Sequence, residues 1–280
     1  METIAQSAQL SVVTVCEVLE LSRSAYYDWH GGQKSLRVER DQELIPMIQN
    51  LFWKHRRRYG ARRIASELAD RGQACSPRRV ARLLKNQGLR AIQPKSFVPR
   101  TTESRHRLGY NPNLLLDAPP PTSINQLWVG DITYVPLRSG RFSYLALLMD
   151  RYSRYLVGWQ LAEDMTENLV LPVLTSAIRS RQPPAKLIHH TDRGGQYAGT
   201  YYRTVLRRAG FQQSMSRAAD CYDNAFMESC FGTIKTELEM TEYENHRAAR
   251  QAISEYIHYY LTERKHSALG YLTPRQFENL

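Results

Sequence analysis

The first third of the chain reads in helical period. Two short stretches, LSVVTVCEVL (10–19) and SRSAYYDWH (22–30), predict a pair of small helices, with Ser22 placed to cap the second. Such a pair is either a packing unit or a DNA-contacting one. Gly31-Gly32 interrupts the pattern, and Glu39 to Lys54 resumes it as an amphipathic helix that Pro46 should start or kink. Ala61 to Asp70 turns Ile64, Ala65 and Leu68 inward. Gly72 ends that helix, and Ser76 with Pro77 opens the next, whose apolar face is Val80, Leu83 and Leu84. Arg78, Arg79, Arg82 and Lys85 are left on its outer side. Two helices, a short Gly-containing turn and an arginine-rich second helix fit helix-turn-helix geometry; the alternative is an ordinary hairpin with solvated arginines.

Periodicity then disappears. Arg90 to Asn125 carries Pro94, Pro99, Pro112, Pro119, Pro120 and Pro121, which predicts an extended, semi-rigid linker. From Leu127 the pattern becomes α/β. LWVGDITYVPL, FSYLALLMD and RYLVGWQL read as three consecutive strands, Thr166 to Ser180 as a helix kinked by Pro172, and KLIHH as a short buried strand. A helix from Thr200 to Ala209, a strand at FQQSMS, a helix through Glu228 and an amphipathic helix from Arg247 to Thr262 follow. The expected units are 1–55, a helical region; 56–90, a basic helix-turn-helix-like module; 91–125, the linker; 126–242, the α/β core; and 243–280, a C-terminal helix and tail.

Charge sharpens the picture. The chain of 280 residues carries net +11, with an isoelectric point near 9.6. Lys54 to Arg107 holds sixteen Lys and Arg against three Asp and Glu, or +13, so the rest is close to neutral. That local density favours a polyanionic partner, double-stranded DNA above all. Arg62 and Arg63 join Arg78, Arg79, Arg82 and Lys85 as candidate contacts. Four cysteines at 16, 75, 221 and 230 make no Cys-x-x-Cys spacing, so neither disulfides nor zinc are expected and a reducing cytoplasm fits. Residues 1–9 have no basic start or apolar core, and no apolar run is long enough to span a bilayer. The expectation is a soluble protein without a membrane partner.

The candidate chemistry lies in three carboxylates. Asp131 interrupts an apolar strand pattern, Asp192 falls just past the KLIHH strand, and Glu228 follows after 35 intervening residues. On a helix, Met227, Phe231, Ile234 and Leu238 form an apolar stripe, while Asn224, Glu228 and Lys235 form a second row beside it. Converging carboxylates repel one another unless a cation lies between them. Magnesium suits oxygen donors, and two such ions can activate an attacking oxygen and stabilise a leaving one at a phosphodiester. His189 and His190 beside Asp192 invite a metal reading too. Adjacent strand residues face opposite sides, so one should be buried and the other should only flank the site.

These pieces resemble a known family. WVGDITYV, YLALLMDRYSRYLVGW, HHTDRGGQYAG, SMSRAADCYDNAFMESCFGTIKTE and RKHSALGYLTP, with YGARRIASELADRGQACSPRRVARLLKNQGLRA upstream, are similar to second-frame (OrfB) proteins of the IS3 family of bacterial insertion-sequence transposases. The resemblance puts Asp131, Asp192 and Glu228 on the family's catalytic, metal-holding triad and Lys235 on its basic residue seven positions later. Thr191 stands where Ser is usual, Cys230 where Phe is usual, and Leu261 where Asn is expected; none touches the triad. A His-His-Cys-Cys zinc module like that of retroviral integrases is missing from the sequence.

The resemblance implies an α/β, ribonuclease H-like core of the retroviral integrase type, preceded by an all-α helix-turn-helix region. It implies a polynucleotidyl transferase that cuts and joins element ends, using two Mg²⁺ ions with Mn²⁺ able to substitute. Asn224 and Lys235 would position the DNA end. Implied partners are the terminal inverted repeats and target DNA, the first-frame (OrfA) protein of the element, and further copies of the chain on DNA. The implied setting is the bacterial nucleoid, and the implied intermediate is circular or figure-eight. A DNA-binding regulator with an inactive core, and a nuclease of RNA–DNA hybrids, are the competing readings.

Overall fold

The computed structural model describes residues 11–31, 36–94, 109–116, 118–217, 225–239 and 242–280. The chain forms two compact units, 1–90 and 91–280.

The first unit is helical among its described residues. Helices α1 (Val12–Val18) and α2 (Arg23–His30) pack on each other. Each opens on a serine cap: Ser11 Oγ accepts from the Thr14 amide and Ser22 Oγ from the Ala25 amide, both at 3.1 Å. Three further helices, α3 (Leu36–Lys54), α4 (Ala61–Asp70) and α5 (Pro77–Asn86), pack around Leu44, Ile48, Leu51, Phe52, Ile64, Leu68, Val80 and Leu83. Pro46 does not start or end α3. Burying four large side chains of this helix at about 1.5–3 kcal/mol each outweighs the roughly 3 kcal/mol cost of an internal proline. The expected division at residue 55 runs through this packed unit, because α3 touches both α4 and α5.

Two arginines expected on the outer side are drawn inward. Asp41, on α3 and largely buried, accepts from Arg79 Nε at 2.7 Å and from Arg82 Nη2. Arg79 also donates to the Arg37 carbonyl at 3.2 Å. Arg62, Arg78 and Lys85 are exposed, while Arg63 lies over the Tyr59 ring at 5.6 Å.

The second unit is built on a five-stranded sheet in the order β3-β2-β1-β4-β5. Its strands are β1 (Leu127–Pro136), β2 (Phe142–Asp150), β3 (Leu156–Ala162), β4 (Ile188–Thr191) and β5 (Gln212–Met215). The first three form an antiparallel meander; β4 is parallel to β1, and β5 to β4. The intervening helices α6 (Glu167–Arg181), α7 (Gly195–Ala198) and α8 (Thr200–Arg208) cover one face. There Trp128, Leu148, Leu169, Leu174, Tyr202, Leu206 and Met215 make the core. A Cβ at Gly158 would lie 2.9 Å from Val173 Cγ1 and 3.0 Å from its carbonyl, so α6 can approach β3 only over a glycine. Pro172 is accommodated inside α6.

Strand alternation sends Leu145, Leu147 and Met149 to the other face. Helices α9 (Ala225–Glu237) and α10 (His246–Thr262) bury Met227, Phe231, Ile234, Ile253, Tyr256 and Ile257 there. The part of the proline-rich segment that the structure describes is not a free spacer. Asn111 Nδ2 donates to Gln213 Oε1 at 2.6 Å, the Leu114 amide to Ser214 Oγ at 2.9 Å, and the Met215 amide to the Pro112 carbonyl at 3.3 Å. The tail ends in α11 (Pro274–Glu278), whose Glu278 takes both terminal nitrogens of Arg181 at 2.6 and 2.7 Å.

Asp41→Asn should loosen the first unit by about 1–3 kcal/mol, because two guanidiniums lose a charged acceptor. Arg82 and then Arg79 hold the Asp41 carboxyl below the usual carboxylate range, against burial. The stabilisation is therefore present above the unfolded carboxylate pKa of about 4 and lost as pH falls through the lower folded value. Hydrogen exchange of α3 and α5 amides at pH 7 should be faster in the variant; equal protection would refute the brace.

Candidate active site

Asp131 sits in the middle of β1, opposite Leu147 of β2. Its neighbours Gly130 and Ile132 belong to the face covered by α6: a Cβ at Gly130 would meet Leu148 and Thr191 at 3.4 Å, and Ile132 packs on the core there. Alternation therefore turns Asp131 to the α9 face. The parallel register pairs Val129 with His190. Continued by two residues, it sets Asp192 level with Asp131 on the neighbouring strand, about 5 Å away in backbone spacing, and on the same face.

Asp192 lies just past the end of β4. Its Oδ1 accepts from the Gly194 amide at 2.9 Å, which closes a tight turn. A Cβ at Gly194 would come within 3.0 Å of that same Oδ1 and 2.8 Å of Gln196 Oε1. Position 194 is thus restricted by the carboxylate it serves, although its φ of −59° would suit any residue.

Glu228 is exposed on α9, whose stripe of Met227, Phe231 and Ile234 is buried as the spacing predicts. Leu238 falls beyond the helix and is only partly buried. Lys235 is half-buried on the same helix. Burial lowers its pKa, and the charge on Asp131 opposes that shift. Lys235 therefore faces the carboxylate centre as well as the DNA path expected for it. Asn224 lies outside the described residues.

Burial pushes the Asp131 carboxyl well above the usual carboxylate range, and repulsion from Asp192 and Glu228 adds to it. The Ile132 amide, donating to Asp131 Oδ1 at 2.8 Å, and Lys235 pull the other way. Three acids acting on one another through a partly dry space form a donor set suited to a hard divalent cation. Among the described residues no three His, Cys, Asp or Glu side chains are close enough to share one ion. Asp131 and Asp192 are the paired members by register, and Glu228 approaches from the separate helix.

The histidines are not part of this set. His189 and His190 are both fully buried. His189 Nε2 lies 2.7 Å from Tyr202 Oη on the α6 face, and burial, then His190, pushes its pKa down to about 3. His190 lies on the carboxylate face, with its nitrogens 2.8 Å from Ser214 Oγ and 3.2 Å from Ser216 Oγ. One histidine is buried and hydrogen-bonded as expected; the other, on the carboxylate face, is buried as well, because β4 is covered on both faces.

One pair went unread in the sequence. Glu237, at the end of α9, is buried and accepts from Arg264 Nε at 2.9 Å and Nη2 at 2.7 Å, and from Tyr256 Oη at 3.0 Å. Burial alone would lower Arg264; the Glu237 hydrogen bonds outweigh it and hold the guanidinium above its usual range. The available signal was an acid three residues after Ile234, on the buried side of the helix.

A ribonuclease H-like sheet with acids at the middle of its first strand, after its fourth and on the following helix defines an integrase-type polynucleotidyl transferase core. The comparisons agree with it. The integrase core domain family matches residues 121–221, a second integrase core domain family matches 209–274, and an HTH-like domain family matches 39–97. The chain is 42% identical over 265 residues to the insertion element IS600 uncharacterized 31 kDa protein of Shigella sonnei, covering 94% of this chain and 97% of that one. It is 36% identical over 276 residues to transposase InsF for insertion sequence IS3A of Escherichia coli (strain K12), covering 97% and 95%. The chain belongs to the IS3 family of insertion-sequence transposases. Among solved structures it is similar to a chain of the simian T-cell lymphotropic virus intasome, with TM-score 0.48, 17% identity and coverage of 84% and 74%. It is also similar to the HTLV-2 integrase catalytic core domain, with TM-score 0.44, 16% identity and coverage of 56% and 98%. No described helix is long and apolar enough to cross a membrane.

Arg264→Ala should cost about 3–5 kcal/mol in urea unfolding of the full chain, because it strands the Glu237 carboxylate in the core. Replacing both residues, Glu237→Leu with Arg264→Met, should cost much less. A double variant as unstable as the single one would show that the ion pair itself is not what holds α9.

Proposed function

We propose that this chain is the DNA transposase of its insertion sequence and that Asp131, Asp192 and Glu228 are its catalytic carboxylates. The observation that carries the assignment is the β1–β4 register, which sets Asp131 beside Asp192 on the face that α9 covers. These three residues would hold Mg²⁺, or Mn²⁺ in its place. Two such ions, when bound, activate the attacking oxygen and stabilise the leaving one at a phosphodiester. The attacking group is first a water, then a DNA 3′-hydroxyl, so no covalent protein–DNA bond is needed.

The remaining residues act on the DNA. Lys235 is a mobile point charge near Asp131, suited to a phosphate beside the one that reacts. Asn224 is assigned to the same DNA end. In the first unit, Arg62, Arg63, Arg78 and Lys85 are the contacts to the terminal inverted repeats. Arg79 and Arg82 add field rather than free hydrogen bonds, since Asp41 engages them. The target DNA, the first-frame protein, a multimer on DNA and a location at the bacterial nucleoid complete the reading.

Asp192→Asn should lower cleavage and joining of element ends by on the order of a thousandfold or more, and leave DNA affinity nearly unchanged. Lys235→Ala should lose rate that returns in part as DNA concentration rises; Asp192→Asn should not recover. Cleavage of labelled ends in Mg²⁺ by the Asp192→Asn protein would overturn the assignment.

DNA affinity should also fall steeply with salt, as the basic residues release counterions. Replacing Arg62, Arg78 and Lys85 together by Gln should flatten the plot of log K against log salt by about three. An unchanged slope would remove α4 and α5 from the DNA path.

A further inference from the structure

We propose that Arg151 and Arg154, whose guanidiniums meet around Phe226 at the start of α9, bind a backbone phosphate of the DNA strand entering the active site. This rests on the function proposed above and adds a contact to it.

The turn between β2 and β3 carries both arginines. Arg151 lies over the Phe226 ring at 3.1 Å to the centroid, and Arg154 lies 4.7 Å from the same centroid. The turn is firmly built: the Arg151 amide donates to the Leu127 carbonyl at 2.9 Å, and Arg154 holds a φ of 60°. A non-glycine residue there is strained, and the surrounding bonds keep it in place.

Asp150 acts on Arg154 by its charge alone, from beyond ion-pair distance. Among the described residues, neither arginine has a carboxylate within ion-pair distance. Asp150, the nearest acid in sequence, accepts from the amides of Asn125 at 2.6 Å, Tyr152 at 2.9 Å and Ser153 at 3.1 Å. Glu278, at the same turn, accepts from Arg181 and from Ser153 Oγ at 2.6 Å. Burial and the neighbouring Arg154 push Arg151 down to about 10, which leaves it charged at neutral pH.

Position identifies the anion. Phe226 precedes Glu228 by two residues on one helix, about 3 Å along its axis and about 200° around it, so the pair lies on the order of 10 Å from Glu228, across the width of the helix. That is a few nucleotides along a strand. Lys235 lies about 10 Å beyond Glu228 in the other direction. Lys235 shares the Glu228 face of α9, so a strand that meets both would reach the arginine pair by passing round the start of the helix. Planar guanidiniums stacked on an aromatic ring present their edges for phosphate recognition.

The test uses the full chain and duplexes carrying the inverted repeat that flanks its gene, with single methylphosphonate substitutions that neutralise one phosphate at a time. In the wild type, one substitution a few nucleotides from the cleaved bond should weaken binding about tenfold. The Arg151→Gln/Arg154→Gln protein should bind the unmodified duplex about tenfold more weakly, with a salt slope shallower by one to two, and be indifferent to that substitution. Arg151→Lys/Arg154→Lys should retain most of the affinity and the sensitivity. The proposal is overturned if the Gln protein keeps wild-type affinity and slope, if its methylphosphonate penalties all persist, or if the Lys protein falls as far as the Gln protein. Should the wild type neither cleave nor join these duplexes, the proposed function fails; should it do so without the coupling, only this site does.

Discussion

Two acids, one within β1 and one just past the end of the parallel strand β4, level with each other and facing one helix, set the terms for the rest of the catalytic unit. Parallel pairing of β1 and β4, which runs as far as Val129 and His190, leads the two acids onto neighbouring backbone, where the Asp192 charge acts on Asp131. Repulsion is then relieved in three ways. The Ile132 and Gly194 amides donate to the two carboxylates, Lys235 supplies a nearby positive charge, and a divalent cation completes the balance when bound. The fold has to keep α9 in place against a site that resists assembly. It does so with chemistry away from the carboxylates.

That chemistry differs at the two ends of α9. Its C-terminal end is locked by a buried ion pair with Tyr256 as third partner, an arrangement costly to break once formed. Its start is held by Phe226 under two arginines, a weaker and more open contact. A helix fixed at one end and loosely clasped at the other can keep Lys235 in register with Asp131 while Glu228 approaches the paired aspartates. This is consistent with Glu228 being the member of the set that stands apart.

Most of this architecture was legible because the chain punctuates itself. Ser76-Pro77, Gly72 and Ser139-Gly140 bound elements where the structure has them, and the three apolar runs from Leu127 are the three meander strands. Asp131 and Asp192 were visible for the same reason: acid at a strand position or strand end contradicts the surrounding apolar pattern. What escaped was pairing across sequence distance. Periodicity put Arg79 and Arg82 on the outside of α5, since nothing local shows that Asp41, 38 and 41 residues earlier, would pack against them. Glu237 was hidden by the converse fault, an acid on a buried stripe whose partner comes 27 residues later. The burial of the second histidine, His190, was not legible because two-sided covering of β4 is a property of the assembled sheet.

The arginines then sort by a single criterion, whether a carboxylate of the same chain answers them. Arg79, Arg82, Arg181 and Arg264 each have one, and each joins elements distant in sequence. Arg181 and Arg264 are neutralised one for one, whereas Arg79 and Arg82 share the single carboxylate of Asp41 and keep a net positive charge. Arg62, Arg78 and Lys85 on α4 and α5 remain exposed, and among the described residues Arg151 and Arg154 meet around Phe226 without an acid in ion-pair contact. A net charge of +11 is therefore a poor measure of DNA-binding capacity by itself. What a polyanion can meet is set by the subset left exposed after folding, and on the helices matched by the HTH-like family that subset includes Arg62, Arg78 and Lys85.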